Sequence, residues 1–184
     1  MSLPDLKVFT PYGQEEKLAD PRPPAWPPMT PWAEKKLPRV LISDIDQTIA
    51  FLPVDALGQP TRTFNDFAKS EGDVLNQKVA GLIKAWYSLS VDPTIYFVTN
   101  RDVRWRDVTL RWLTKNFSPV TYSWVLRMRP SNNLFSSAAR VKEHHLVDEI
   151  MSRYNVKQVW EDDPDCIAMY QSHGLLVFDA KETW

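Results

Sequence analysis

Residues 38–48 read PRVLISDIDQT, and this stretch decides the fold of the chain. Its apolar run, VLI at 40–42, is typical of a strand buried on both faces of a parallel sheet. Asp44 and Asp46 follow at once, and their spacing places both carboxylates on one face of an extended strand. Open α/β sheets bind ligands at the carboxyl ends of their strands, so the pair predicts a site at that edge. Taken alone, the pair is better explained as a strand end with an Asx turn, and the residues downstream decide between the two interpretations.

The composition is that of a globular domain and excludes several function classes. With 184 residues and a single cysteine, Cys166, the chain has room for a core but no internal disulfide, which suits a reducing cytoplasm. A formal net charge of −1 gives no overall attraction to nucleic acid or to a membrane. The sequence has no apolar run long enough to span a bilayer and no P-loop motif of a kinase. We therefore expect a cytoplasmic protein that contacts no membrane.

The first 38 residues differ in composition from the rest. They hold nine of the fifteen prolines, together with Trp26 and Trp32. Proline disfavours regular secondary structure, and the tryptophans favour packing against the body of the protein. We expect residues 1–38 to form a proline-rich strap, the alternative being a ligand for a proline-recognising domain, and residues 39–184 to form the main domain.

Strands and helices alternate along the rest of the chain. This alternation implies right-handed crossovers and a doubly wound parallel sheet of five strands, hence the α/β class. Residues 49–72 mix apolar residues with chain breakers and predict a short hairpin or flap, with a short helix over 61–71, which leaves little room for a large cap domain. Hydrophobic patterns predict strands over 40–42, 94–99, 123–128, 156–160 and 175–178, and helices over 73–89, 102–116, 136–153 and 165–173.

Polar residues beside several of these strands suit one chemistry. Thr99 ends the second strand, Lys142 precedes the fourth, and Asp162 and Asp163 follow the fourth. Each alone has an ordinary explanation, as a cap, a solvated lysine or an acidic helix N-terminus. Together with the first aspartate pair they predict phosphoryl transfer, in which one carboxylate attacks phosphorus and a second acts as general acid and base. A hydroxyl and an ammonium would hold the phosphoryl oxygens, and a hard divalent cation, Mg²⁺, would neutralise charge.

Over about residues 38–180 the chain resembles the haloacid dehalogenase superfamily. The sequence DIDQT at 44–48 looks like its D-x-D-x-T motif. The resemblance implies that Asp44 is the nucleophile and a metal ligand. It also implies that Asp46 is the general acid and base, and that its backbone carbonyl binds Mg²⁺. The superfamily further implies a Rossmann-like sheet in the strand order 5-4-1-2-3. The shortness of residues 49–72 predicts a minimal cap.

The remaining motifs of the superfamily map onto the later strand ends. Thr99 and Lys142 match the hydroxyl and the lysine of its second and third motifs. Asp162 and Asp163 match the acidic pair of the fourth, and the resemblance implies that either one completes the metal site. In one departure, members commonly have glycine where this chain has Gln47, and a glutamine at that position predicts a negative φ.

Short stretches indicate a narrower resemblance. Thr99-Asn100-Arg101 after the second strand, and Arg129 after the third, resemble the phosphatase domain of polynucleotide kinase/phosphatase enzymes. The resemblance implies that Asn100, Arg101 and Arg129 bind the nucleotide or its phosphate, for which the planar fork of arginine is suited. It further implies removal of a 3′-phosphate from a nucleic-acid end, as in DNA repair.

Two other functions stay open on the sequence. A nearly open site also admits mononucleotides, so a 5′-nucleotidase acting on (deoxy)nucleoside monophosphates is the main alternative. A non-enzymatic binding module that keeps the fold is the second, with Trp26 and Trp32 contacting its partner. A homo-oligomer and a separate kinase or ligase partner are left open as well.

Overall fold

The computed structural model of the protein describes residues 37–132 and 136–183. The predicted strap over residues 1–38 falls almost wholly outside the described residues, so the division of the chain at that point stays a prediction. The regular elements are β1 (Arg39–Ser43), β2 (Ala50–Phe51), β3 (Val74–Leu75), α1 (Gln77–Leu89), β4 (Thr94–Asp102), α2 (Arg106–Asn116), β5 (Trp124–Arg129), α3 (Ala138–His145), β6 (Asn155–Glu161), α4 (Pro164–Ser172) and β7 (Val177–Asp179).

Five parallel strands form the central sheet in the order β5-β4-β1-β6-β7. If only the strands of this sheet are numbered along the chain, β1, β4, β5, β6 and β7 become strands 1 to 5. The observed order is then 3-2-1-4-5, which is the predicted order 5-4-1-2-3 read from the other edge. The α/β class and the topology are therefore confirmed. Because β1 lies at the centre, the strand order reverses beside its carboxyl end, where open α/β sheets form a crevice. Among the described residues, no helix is both long and apolar enough to cross a lipid bilayer.

Apolar layers cover both faces of the sheet. Successive residues of β1 point to opposite faces, with Leu41 in one layer and Val40 and Ile42 in the other. The first layer includes Trp112 of α2, and the second includes Tyr170 of α4. Complete burial of an aliphatic side chain stabilises a fold by roughly 1.5–3 kcal/mol, so the apolar run of β1 anchors the strand that carries the DIDQT turn.

The helix α1 begins later than its hydrophobic pattern predicts. Val74–Leu75 pairs antiparallel with Ala50–Phe51, and these strands, β3 and β2, form a separate small sheet. Asn76 then caps the helix, since its side chain accepts a hydrogen bond from the amide of Val79 at 3.3 Å. Helical spacing cannot separate two strand residues from a first helical turn, whereas asparagine is a strong signal for the N-cap.

The other predicted helices lie where expected but differ at their ends. A 3₁₀ turn (Val103–Trp105) precedes α2, a π-helical turn (Leu146–Ile150) follows α3, and the helix predicted over 61–71 is a 3₁₀ turn at Phe67–Gly72. A hydrophobic pattern marks the apolar face of such a segment but not its exact hydrogen-bond pattern, because one turn contains too few residues to distinguish the periods of the 3₁₀, α and π forms.

The turn after β1 has an unexpected backbone conformation. Gln47 has a φ of 60°, in the left-handed region, so the prediction of a negative φ is wrong. The hydrogen bonds of the turn impose this conformation. The amide of Gln47 donates to the carbonyl of Ala50 at 2.9 Å, and the amides of Ile49 and Ala50 both donate to the carbonyl of Ile45. A left-handed non-glycine residue costs roughly 1–2 kcal/mol, which the bonds of the turn must offset.

Candidate active site

The carboxyl ends of the central strands open into a cavity of about 240 Å³. The DIDQT turn, the ends of β4 and β6, the helix α3 and the segment 49–76 all contribute lining residues, and we call this last segment the flap. The predicted site residues among the lining side chains are Asp44, Asp46, Asn100, Arg101, Lys142, Asp162 and Asp163. The structure therefore brings the first and last motifs together at one edge of the sheet.

Lys142 connects two buried carboxylates. Its Nζ donates to Oδ1 of Asp44 at 2.8 Å and to Oε2 of Glu161 at 2.7 Å. Burial alone would lower the pKa of Lys142, but Asp44 and Glu161 outweigh it and hold that pKa above its ordinary value. Burial raises the pKa of Asp44 to about 7, against the attraction of Lys142. One ammonium thus serves two carboxylates, which carry excess negative charge when both are ionised.

Asp44, Glu161 and Asp162 bring carboxylate oxygens within 4.8 Å of one another. Burial, and next the charge of Asp44, raises the pKa of Asp162 to about 6. Burial also raises the pKa of Glu161. Carboxylates whose charged form is disfavoured in this way gain from a nearby cation, and clustered carboxylate oxygens are the donors that Mg²⁺ prefers. The donor set therefore fits a divalent metal ion.

Glu161 of this cluster and the neighbouring Asp163 both accept hydrogen bonds from the backbone. Oε1 of Glu161 accepts from the amides of the next two residues, at 3.2 and 3.3 Å. Oδ1 of Asp163 accepts from the amides of Asp165 and Cys166 and so caps α4. Of the two aspartates that the sequence left equal as metal ligands, Asp162 lies in the carboxylate cluster and Asp163 caps a helix. The geometry favours Asp162.

Arg101 holds the second aspartate of the motif. Its Nε donates to Oδ2 of Asp46 at 2.9 Å, and its Nη2 donates to Oδ1 at 2.7 Å. The side chain of Arg101 is fully buried, whereas 14% of the Asp46 side chain is exposed. The hydroxyl of Thr99 also points to Asp46, 3.4 Å from Oδ2. A buried guanidinium needs a paired anion, and Asp46 is one such partner of Arg101. Arg101 also lines the cavity, and its contact with substrate stays a prediction.

The flap anchors Arg101 from the other side. Oδ2 of Asp73 accepts from Nη2 of Arg101 at 3.1 Å and from Nη2 of Arg62 at 2.6 Å, while Oδ1 accepts from Nε of Arg62 at 2.7 Å. The ring of Phe67 lies 5.1 Å from the guanidinium carbon of Arg101 and 5.8 Å from that of Arg62. Two arginines and two aspartates thus alternate in one ion-pair network that ends at Asp46.

Arg129 and Asn100 form a second predicted pair. The Nε of Arg129 donates to Oδ1 of Asn100 at 2.7 Å, and its Nη2 donates to the same oxygen. The Nη1 of Arg129 donates to the carbonyl of Ser136 at 2.7 Å. Asn100 lines the cavity and Arg129 does not, so Arg129 orients Asn100 in this structure. Contact of either side chain with a nucleotide stays a prediction.

Three residues of the site were missed by reasoning from the sequence. Glu161 binds Lys142, and its place directly before the acidic pair is a signal that the motif itself contains. Arg62 and Asp73 lie 11 residues apart in the flap and carry no local pattern that predicts their pairing. Only the folding of the flap against β4 brings them to Arg101.

These observations define the class of protein. A doubly wound parallel sheet whose central strand leads into D-x-D-x-T, with a buried lysine on α3 and an acidic pair after β6, is the arrangement of the phosphatases of the haloacid dehalogenase superfamily. The family model for the polynucleotide kinase PNKP phosphatase domain matches residues 38–183. The chain belongs to this family of phosphatase domains.

Solved structures share the fold. A chain from the structure of the Pnkp1/Rnl/Hen1 RNA repair complex has a TM-score of 0.66 and 23% identity, over 79% of this chain and 43% of that one. A chain from a second structure of the Pnkp1/Rnl/Hen1 complex has a TM-score of 0.66 and 23% identity, over 91% of this chain and 55% of that one. The present chain thus spans about half the length of each of these two chains. No curated protein matches the sequence.

Proposed function

We propose that the protein is a Mg²⁺-dependent phosphatase that forms an aspartyl phosphate and removes 3′-phosphates from nucleic-acid ends or nucleotides. One observation carries the proposal. Asp44 and Asp46 meet at one cavity, each bound by its own buried cation, Lys142 and Arg101 respectively. Membership of the polynucleotide kinase phosphatase family supports a nucleic-acid substrate.

The contacts of the two aspartates suggest their roles. Lys142 binds Oδ1 of Asp44, so we assign the attack on phosphorus to Oδ2. As Oδ2 bonds to phosphorus, the bond from phosphorus to the 3′ oxygen breaks, and Asp46 gives that oxygen a proton. Asp46 then takes a proton from water, whose oxygen displaces Asp44 and releases inorganic phosphate. Mg²⁺, when bound by Asp44, Asp162 and the backbone carbonyl of Asp46, neutralises charge between the carboxylates and the phosphate.

The small flap is compatible with a substrate that is part of a polymer. It carries two strands of two residues each and one 3₁₀ turn. A flap of this size leaves the cavity accessible to the end of a nucleic-acid strand, and equally to a mononucleotide. We propose a role in nucleic-acid end repair, together with a separate kinase or ligase. A structural relative that comes from an RNA repair complex supports this role.

Phosphate release from a panel of substrates tests the function. The panel holds DNA and RNA oligonucleotides with a 3′-phosphate, the same strands with a 5′-phosphate, and 3′- and 5′-mononucleotides, each with Mg²⁺ and with EDTA. We expect the highest kcat/KM for 3′-phosphorylated strands, and loss of release with EDTA. Preference for 5′-monophosphates would replace the proposal by a 5′-nucleotidase. No release from any substrate by folded protein would favour a binding module.

Alanine variants of the acidic pair separate the metal ligand from the helix cap. Asp162→Ala is expected to lower Mg²⁺ affinity by at least tenfold, because it removes one carboxylate of the cluster. Asp163→Ala is expected to leave Mg²⁺ affinity nearly unchanged and to lower stability by about 1 kcal/mol, because it removes an N-cap. Calorimetric titration with Mg²⁺ and urea unfolding measure the two effects. The reverse pattern would make Asp163 the ligand.

A further inference from the structure

An exposed aromatic ring lies between the catalytic cavity and a second cavity. Phe64 lines both, and 46% of its surface is exposed. The second cavity has a volume of about 520 Å³, which is within the usual range for small-molecule sites. Its other lining residues also belong to the flap, and they include Thr61, Thr63 and Lys69. A ring shared by two cavities lies on the path of a substrate that extends from one into the other.

The ring of Phe64 is carried by a fixed piece of backbone. It packs against Phe67 in a T-shaped arrangement, with the ring centroids 6.1 Å apart and the planes at 69°. The Nη1 of Arg62 donates to the carbonyls of Thr63 and Phe64, at 3.0 Å each, while its other nitrogens are bound to buried Asp73. Because this ion pair already orders the backbone, little conformational entropy is lost when a ligand covers the ring.

Other apolar residues of the flap show why this ring is different. Leu57 is 83% exposed and Val54 is 60% exposed, and neither lines the two cavities. Scattered exposed apolar residues are normal on protein surfaces and need no function. Phe64 instead lines both cavities, and an exposed aromatic ring gains free energy when another flat ring covers it.

We propose that Phe64 is a stacking platform for the nucleobase of the nucleotide that carries the scissile phosphate. This inference rests on the proposed function. The phosphate lies in the catalytic cavity by Asp44, and the attached nucleoside extends across Phe64 into the second cavity. Every nucleobase has a π face, so the platform favours nucleotides over phosphate esters without a base and does not select among bases.

The test compares two substrates on variants of Phe64. One is a 3′-phosphorylated oligonucleotide, and the other is the same strand with an abasic terminal nucleoside. Stacking of one base contributes about 1–3 kcal/mol, so Phe64→Ala should lower kcat/KM for the first substrate by about 5- to 150-fold. The abasic substrate should change by less than roughly twofold. Phe64→Trp should keep the preference for a base, and Phe64→Leu, which retains apolar contact with Phe67, should lose part of it.

Leu57→Ala is the matched control, because it shortens an exposed apolar residue of the flap that lines neither cavity. The proposal would be overturned if Phe64→Ala and Phe64→Leu each lowered kcat/KM equally for the two substrates. It would also be overturned if neither variant lowered kcat/KM for either substrate. If the native protein instead prefers 5′-monophosphates, the proposed 3′ specificity fails. The comparison then uses a nucleoside 5′-monophosphate and ribose 5-phosphate, where a loss confined to the nucleotide supports stacking and an equal loss refutes it.

Discussion

Asparagine at position 44 is expected to lower phosphate release by about 10⁵-fold or more, because an amide oxygen cannot replace a carboxylate as the attacking nucleophile. The fold should survive the change. Asparagine has the same shape, burial already disfavours the charge of Asp44, and Lys142 keeps its bond to Glu161. Phosphate release from a 3′-phosphorylated oligonucleotide and a thermal melt of the same preparation measure both effects.

Trapping the intermediate shows whether Asp44 forms a covalent bond to phosphorus. With a substrate labelled in its 3′-phosphate, acid quenching should leave label on the native protein and none on Asp44→Asn. Asp107→Asn is a matched control, since Asp107 is an exposed aspartate in the first turn of α2. A residual rate within about 100-fold of the native protein, or label retained by Asp44→Asn, would contradict a covalent mechanism through this residue.

Replacing Asp46 with asparagine is expected to slow turnover of a 3′-phosphorylated oligonucleotide by about 10²- to 10⁴-fold, the usual contribution of general acid and base catalysis. Asparagine can neither protonate the leaving oxygen nor take a proton from water. It also turns an amide nitrogen toward the donors of Arg101, which bind both oxygens of Asp46 in the native protein. Because the proposed metal contact of Asp46 is its backbone carbonyl, Mg²⁺ affinity measured by calorimetry should change little.

A substrate with a good leaving group separates the two steps in which Asp46 takes part. p-Nitrophenolate leaves without prior protonation, so Asp46→Asn should release a burst of about one p-nitrophenol per site and then turn over slowly, because the hydrolysis of the aspartyl phosphate still lacks a base. Stopped-flow absorbance measures the burst. Equal slowing on both substrates with no burst would contradict a role for Asp46 in protonating the leaving oxygen.

The architecture of the sheet could be predicted because its information is local. The run Val40 to Ile42 is apolar at every position, and turn residues bound each later strand. The approximate positions of the strands and of the helices between them therefore follow from the sequence pattern alone. The order of the strands came from the resemblance to a superfamily. Helix ends were less accurate, as with Val74–Leu75, whose pairing with β2 depends on a segment that lies more than twenty residues away.

The site residues that belong to a sequence motif could be predicted, whereas the ion pairs between distant residues could not. The motif residues Asp44, Asp46 and Asp162 line one cavity, as their positions at strand ends predict. The ion pair between Arg101 and Asp46 could not be predicted, because the two residues lie 55 positions apart and their contact forms only in the folded state. The φ of Gln47 was mispredicted for a similar reason, since the hydrogen bonds of the whole turn set it rather than the residue itself.

The flap differs along its length in how well it would accept inserted sequence. At its tip, Gly58 has a φ of 76°, and within the described part of the chain no neighbouring atom lies within 4 Å of the position that a Cβ would take there. Asp55 caps this exposed loop by accepting from the amides of Leu57 and Gln59. Between Arg62 and Asp73, by contrast, any change of length would shift the anchor of Arg101.

Exposed tips are where proteins tolerate added domains. A larger lid, whether gained in evolution or grafted by design, would therefore enter this chain at residues 55–60, where it could alter substrate choice without moving Arg101 or Asp46.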